Sequence, residues 1–146
     1  MSESKSLKWI GLRVSVLANR YTYPLYANIE QRHGLLRDEA AVVVSLSLFD
    51  GPTAQEIVRY TGRPKQSISR AVGKLETDGA IERYDHSKDG RASRLCLTKK
   101  GRAMFAAIKG YYAERDKRML ALLSESDRQN FNRILVAILR VSKEWM

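Results

Sequence analysis

Residues 65–75 separate their polar side chains from their apolar ones. The apolar residues recur at the three- and four-residue steps of a helix: Ile68, Ala71, Val72 and Leu75. The helical period leaves six polar residues on or near the outward face: Lys65, Gln66, Ser67, Ser69, Arg70 and Lys74. Arg and Gln side chains hydrogen-bond base edges, whereas Lys and Ser suit phosphates. We predict that Gln66 and Arg70 contact bases and the other four phosphates, and the alternative is a solvated helix face.

A second candidate site surrounds the turn at Gly90. Residues 80–87 and 93–98 alternate apolar and polar side chains, which is the pattern of two antiparallel strands joined by an exposed loop. Three cations lie around the turn: Lys88, Arg91 and Arg94. A long cation there can reach the minor groove or neighbouring phosphates, and Arg91 is the best candidate. The carboxylate of Asp89 either orients a neighbouring arginine or forms the turn.

Helices must position these two sites. Helical spacing of apolar residues predicts a long first helix that runs to about Gln31, with Gly34 as its stop. A short, mostly buried helix follows over the run AAVVVSLSLF. Thr53 and Glu56 have the spacing of a capping box and open a third helix, which ends near residues 61–62. The polar face of residues 65–75 then belongs to the fourth helix.

The chain continues with two further helices after the predicted hairpin. Thr98 caps a helix that begins at Lys99 and runs to about Leu123, and Ser124 with Asp127 caps the last helix. The predicted fold is therefore mainly α, with a winged helix-turn-helix core and a two-stranded β-wing.

Charge supports a nucleic-acid partner. The 146 residues include 26 Lys and Arg against 16 Asp and Glu, a net charge of +10. Residues 53–102 hold twelve of the basic and six of the acidic side chains, in a segment without a long apolar run. This favours double-stranded DNA over a membrane surface. No stretch is long and apolar enough to span a bilayer, and the N-terminus lacks the pattern of a secretory leader, so we expect a cytoplasmic location.

The residues that could perform catalysis or hold a metal are few. Cys96, His33 and His86 are too few for a structural zinc site, and no phosphate-binding glycine loop or nucleophile elbow is present. We expect no enzyme activity, no metal and no cofactor. Cys96 is either a redox sensor or a small packing residue in a strand.

The segment from Pro52 to Gly101 resembles the winged core of the multiple-antibiotic-resistance regulator (MarR) family. The most specific parts are SISR at 67–70, LETDGAIER at 75–83, DGR at 89–91 and LTKKG at 97–101. The flanking helices extend the resemblance over almost the whole chain. The resemblance implies a single domain, 1–146, with the winged core at 36–101 and dimerisation helices at 1–35 and 102–146.

The resemblance implies a homodimer that represses transcription from an inverted-repeat operator. Ser67, Ser69 and Arg70 resemble recognition-helix contacts, Arg91 resembles the wing arginine, and Asp89 resembles its structural partner. Two recognition helices of such a dimer would lie roughly 34–36 Å apart on DNA. A winged domain used only for protein association is the competing interpretation, and it would not need the basic face.

The resemblance also implies a small aromatic or anionic effector that releases DNA. Six residues lie on segments that flank the family's usual pocket: Tyr21, Tyr23, Tyr26, His33, Tyr111 and Tyr112. Their rings could stack on such a ligand or simply pack in the core. Arg37 departs from the family, since many relatives have a capping Thr there, and Gly73 replaces a usually larger residue.

Overall fold

The computed structural model describes residues 8–84 and 93–145, and it confirms the mainly α, winged-helix fold. The elements, in chain order, are α1 (Ile10–His33), α2 (Arg37–Leu48), α3 (Ala54–Thr61), α4 (Lys65–Thr77), β1 (Ile81–Tyr84), β2 (Arg94–Leu97), α5 (Lys99–Met119), α6 (Glu125–Ser142) and a 3-10 turn, η1 (Lys143–Trp145). None of the described helices combines the length and the apolar character that crossing a membrane requires.

The predicted helix boundaries around α3 are confirmed by its hydrogen bonds. The Thr53 hydroxyl accepts the backbone N–H of Glu56 at 3.1 Å, and the Glu56 carboxylate accepts the N–H of Thr53 at 2.7 Å. This second bond lowers the pKa of Glu56. Gly62 ends α3 in the left-handed region at a φ of 64°. The turn between α3 and α4 is therefore specified locally.

The core lies between α2, α4 and the base of the hairpin. All four predicted inward residues of α4 are buried, with no more than 4% of any of them exposed: Ile68, Ala71, Val72 and Leu75. They pack in one cluster with Val42 and Val43 of α2 and Ile81 of β1. Burial of each large apolar side chain contributes roughly 1.5–3 kcal/mol. The opposite face of α4 therefore points away from the core.

The hairpin is antiparallel, as predicted. Ile81 pairs with Leu97 at its base, and Tyr84 pairs with Arg94 at the last described rung. Arg94 also forms an isolated antiparallel bridge with Thr53, which joins the hairpin to the chain before α3. The wing tip, residues 85–92, lies outside the described residues, and with it lie His86, Lys88, Asp89, Gly90 and Arg91.

Helix α5 ends earlier than the sequence predicts, at Met119 instead of Leu123. Two backbone bonds span three residues: Ala121 N–H donates to Arg118 at 3.4 Å, and Leu123 N–H donates to Leu120 at 3.1 Å. These tighter turns end the α-helix. The Ser124 hydroxyl then accepts the N–H of Asp127 at 3.1 Å and starts α6, as predicted.

The first turn of α5 lies against the chain that enters the hairpin. A Cβ placed on Gly101 would be 2.0 Å from the carbonyl oxygen of Ala80 and 3.0 Å from Cδ2 of Leu97. Thr98 N–H donates to the same Ala80 carbonyl at 3.0 Å. The contact therefore requires glycine, and helix propensity alone does not reveal that requirement.

We expect Gly101→Ala to lower the free energy of unfolding by about 1–3 kcal/mol, because the new methyl group displaces a backbone carbonyl. Gly110→Ala is the matched control, since its Cβ would meet nothing within 4 Å. It should raise that free energy by about 0.5–1 kcal/mol. Urea unfolding at one protein concentration measures both, and equal stability of the two variants would contradict the close approach.

Candidate nucleic-acid interface and tyrosine cluster

The outward face of α4 presents polar side chains to solvent. Lys65, Gln66, Ser69 and Arg70 are exposed, and Ser67 is half-buried. Gln66 and Arg70 lie four residues apart, so they project from neighbouring turns of the same face. Neither side chain has a hydrogen bond or an ion pair to the described residues, so their donors are available to another molecule.

Lys74 has a different environment from the other five predicted contact residues. Its ammonium lies 3.3 Å from Oε2 of Glu39 on α2 and 3.4 Å from Oδ2 of Asp78. The hydrogen bond to Glu39 is the main cause of the raised pKa of Lys74. The structure thus gives Lys74 contacts that hold α4 against α2.

Arg94 also bonds within the chain. Its Nη1 donates to the carbonyl oxygen of Gly51 at 2.7 Å and lies 3.8 Å from Oε2 of Glu56. The position at the base of the hairpin explains these contacts, because the bridge to Thr53 brings the side chain over the loop before α3. Among the predicted wing cations, Arg94 alone belongs to the described residues, and it anchors the wing.

Two further contacts join the end of α4 to β1 and to α5. The guanidinium of Arg83 on β1 forms a two-bond pair with the carboxylate of Glu76, at 2.5 and 2.9 Å. Lys100 donates from Nζ to the backbone oxygen of Asp78 at 2.6 Å. The base of the hairpin, the end of α4 and the first turn of α5 are therefore held together.

Three of the six predicted effector residues come together between α1 and α5. The rings of Tyr26 and Tyr112 meet edge to face, with centroids 6.3 Å apart. Arg37 lies 5.1 Å from the ring centroid of Tyr26, and Arg115 lies 5.9 Å from that of Tyr21. We call these five residues the tyrosine cluster.

The tyrosine cluster contains buried polar atoms without partners. Tyr112 Oη and Arg115 Nε are buried, and neither has a partner at full hydrogen-bonding geometry among the described residues. Burial, followed by the nearby Tyr26 hydroxyl, raises the pKa of Tyr112. Tyr21 donates from its hydroxyl to Oδ1 of Asp116 at 2.7 Å, and burial together with that carboxylate raises its pKa. Buried polar groups in proteins are nearly always hydrogen-bonded to protein, water or a ligand, so the cluster is a candidate site for either of the last two.

The other three predicted effector residues lie apart from the tyrosine cluster. His33 Nε2 is 3.1 Å from the hydroxyl of Tyr111, and a cavity of about 280 Å³ lies between His33, Leu35 and α5. Tyr23 is 67% exposed in the single chain. Within one chain, the predicted set therefore does not form one pocket.

Sequence reasoning did not identify Arg115 or Asp116 as parts of this site. Arg115 follows Tyr112 by three residues and Asp116 follows it by four, which is the spacing of neighbours on a helix face and could have identified both.

Sequence reasoning also missed a cavity of about 600 Å³, which lies between the aromatic pair Phe49 and Tyr60 and the C-terminal end of α6. No local pattern marks that cavity, because its walls are distant in sequence.

The environment of Cys96 supports a packing role. Its Sγ lies 3.5 Å from Oε1 of Glu82 on the paired strand. Burial, followed by the hydrogen bond to Glu82, raises the pKa of the thiol. A raised pKa reduces the thiolate fraction near neutral pH, and thiolate is the form that oxidants attack.

Comparison with known proteins agrees with this geometry. The sequence model of the MarR family matches residues 33–92, which include α2, α3, α4 and β1. A crystal structure of a MarR/EmrR family transcriptional regulator from Acinetobacter sp. ADP1 superposes with a TM-score of 0.79 at 27% identity, covering 93% of this chain and 95% of that one. The chain therefore resembles MarR-type transcriptional regulators in its winged core and in its fold.

A second relative of this chain is the HTH-type transcriptional repressor Rv2887 of Mycobacterium tuberculosis. It is 29% identical over 102 residues, which cover 70% of this chain and 73% of the relative. A crystal structure of Rv2887 in complex with salicylic acid has a TM-score of 0.67 at 25% identity, covering 94% of this chain and 99% of that one.

We expect Cys96 to react slowly with a thiol-labelling reagent at pH 7.5, because its pKa is raised above the ordinary value of about 8.5. The labelling rate should climb only at higher pH. Glu82→Gln removes the neighbouring negative charge and should speed labelling, whereas Glu125→Gln, on α6, should leave the rate unchanged. Labelling of the folded protein as fast as that of the urea-unfolded chain would contradict the assignment.

Proposed function

We propose that this protein binds an inverted-repeat DNA operator as a homodimer and represses transcription until a small effector releases it. The observation that supports DNA binding is the division of α4, with one face buried in the core and a polar, cationic face exposed. In a winged helix-turn-helix, the second helix of the motif enters the major groove. A domain used only for protein association would not need Arg70 on that face.

The contacts that we propose divide into base and phosphate contacts. Gln66 and Arg70 meet base edges, and Lys65, Ser67 and Ser69 position the helix on phosphates. Lys74 is half exposed and is paired with Glu39, so we propose that it supports α4 and also lies within reach of a phosphate. At the wing, Lys88 and Arg91, with Asp89 and Gly90, remain predictions outside the described residues.

Exposed apolar side chains support the homodimer. No residue of α6 is buried in the single chain, although its apolar residues recur at helical spacing. Ile134, Ile138 and Val141 on α6 are each 44–49% exposed, and Trp9, before α1, is 76% exposed. Water-exposed apolar surface of this extent marks an interface. We propose that residues 1–35 and 102–146 pair two copies, while residues 36–101 bind DNA.

The tyrosine cluster is the proposed effector site. Its buried, unpartnered Tyr112 hydroxyl and Arg115 Nε can donate to an acceptor, and its rings can stack on an aromatic group. The Arg37 and Arg115 guanidinium groups favour an anion. Rv2887, which is solved with salicylic acid, provides a relative that binds a ligand of this chemistry. We therefore propose a small aromatic anion as the effector class.

We expect Arg70→Ala to weaken binding to the operator by about 1–3 kcal/mol, or roughly fivefold to more than a hundredfold, because a base contact is lost. Arg118→Ala is the matched control, since Arg118 is an exposed arginine on α5 that pairs with Glu114 of its own helix. Fluorescence anisotropy measures the affinities, and Arg91→Ala belongs in the same series. An unchanged affinity of Arg70→Ala, with an unchanged melting temperature, would remove α4 from the interface.

We expect the protein to sediment at micromolar concentration with the mass of two 16.6 kDa chains. Ile138→Glu puts a charge into the apolar stripe of α6 and should shift the population toward the monomer. Asn132→Glu adds the same charge on the other side of the helix and should leave the dimer intact. A monomeric wild-type protein would contradict the proposed assembly.

A further inference from the structure

Three consecutive charged residues in the first turn of α2 contact three different parts of the fold. Arg37 is itself part of the tyrosine cluster, Asp38 bonds the segment that enters α4, and Glu39 bonds α4 itself. We call Arg37, Asp38 and Glu39 the α2 turn. It is therefore the place where the proposed effector site and the proposed recognition helix meet.

Glu39 is the most constrained member of the α2 turn. Only 4% of its side chain is exposed, and Oε2 accepts the backbone N–H of Leu36 at 3.1 Å and the ammonium of Lys74 at 3.3 Å. A buried carboxylate needs such partners, so its position is tied to theirs. A displacement of the α2 turn must therefore either move Lys74 or leave a buried charge without its cation.

Asp38 holds the opposite end of α4. Its two carboxylate oxygens accept Nε of Arg63 at 2.5 Å and Nη2 at 3.2 Å, which is the paired geometry of a strong arginine contact. Arg63 stands two residues before α4 begins. The α2 turn therefore contacts both ends of α4: Asp38 bonds Arg63 just before its start, and Glu39 bonds Lys74 in its last turn.

Arg37 connects the α2 turn to the tyrosine cluster. Its guanidinium lies over the Tyr26 ring, and the Tyr26 ring meets Tyr112, whose hydroxyl is buried without a partner. A carboxylate in the cluster would offer that guanidinium charge-assisted hydrogen bonds, which are stronger than its contact with a ring face. Arg37 would then leave Tyr26, and a shift of its backbone would also shift Asp38 and Glu39, which follow it directly in the first turn of α2.

We propose that the α2 turn transmits occupancy of the tyrosine cluster to the recognition helix, with Arg37 responding to the ligand and Glu39 moving Lys74. The proposal rests on the effector site of the proposed function. Arg37, Asp38 and Glu39 act as positioning residues, because none of them needs to touch DNA. Coupling between two sites requires a structural element whose conformation depends on both sites. The α2 turn contacts both the tyrosine cluster and the recognition helix.

The first test uses salicylate as the probe and measures operator affinity with and without it. In the wild type, saturating salicylate should weaken operator binding by about tenfold, within the usual range for coupled sites. In Glu39→Gln, calorimetry should still detect salicylate binding, but the operator affinity should change by less than about twofold. Asp38→Asn should also reduce the shift.

The matched control is Glu114→Gln, which removes a carboxylate that pairs with Arg118 within α5. It should keep the full salicylate effect. A Glu39→Gln protein that binds salicylate and also keeps the full wild-type shift overturns the proposal, whatever its affinity for the operator.

A second measurement separates failure of the α2 turn from failure of the effector site or of DNA binding. Hydrogen exchange is measured without salicylate and without DNA. Arg37→Gln is introduced once into the wild-type protein and once into the Glu39→Gln protein, and its two effects are compared. Arg37→Gln should speed exchange of the α4 amides by about threefold or more relative to the amides around Ile108, and it should add little when Glu39→Gln is already present. Equal effects in the two backgrounds, or no effect on α4, overturn the proposal even if salicylate does not bind.

Discussion

The packing of α4 against α2 is the contact on which the rest of the molecule depends. The four buried residues of α4 leave it one possible orientation, because a rotation about its axis would expose Ile68 or Leu75 and bury a charged side chain. The outward side chains, Gln66 and Arg70 among them, are therefore held in place by residues that never touch a ligand. A helix that is positioned before binding loses less freedom when it binds.

The cations of the central segment divide into two functions. Lys74, Arg83 and Arg94 are paired within the chain and hold α4, the wing and the loop before α3 together. Lys65 and Arg70 remain exposed on the outward face of α4. The net charge that attracts a polyanion thus also supplies the contacts that shape the surface. All five are Lys or Arg, so residue type does not separate the two groups. What separates them is whether the fold brings an acidic side chain close to the cation.

Local signals were sufficient for most of the fold. Helical spacing identified the buried face of α4, and the capping pair Thr53 and Glu56 located the start of α3. Alternation identified the hairpin. The end of α5 was placed four residues too late, because nothing in the local sequence marks the change to tighter turns at Met119. These signals act over a few residues, which is why they can be detected without a structure.

The candidate sites depended more on distant contacts, and sequence reasoning was correspondingly weaker there. The buried partner of Lys74 is Glu39, thirty-five residues away, and no spacing rule links the two. The six aromatic and histidine residues were grouped by segment, yet Tyr23 is 67% exposed in the single chain. Spatial neighbours of this kind follow from packing, which a single sequence does not display.

Sequence-selective DNA binding is the claim to test most directly. The measurement is the affinity of the wild-type protein for duplexes from its own upstream region, with scrambled duplexes as controls, over a series of salt concentrations. The account predicts tight binding to one inverted repeat, weaker binding to scrambled DNA, and an affinity that falls as salt rises, because phosphate contacts release counterions. Equal, weak binding to both kinds of duplex at every salt concentration would contradict it.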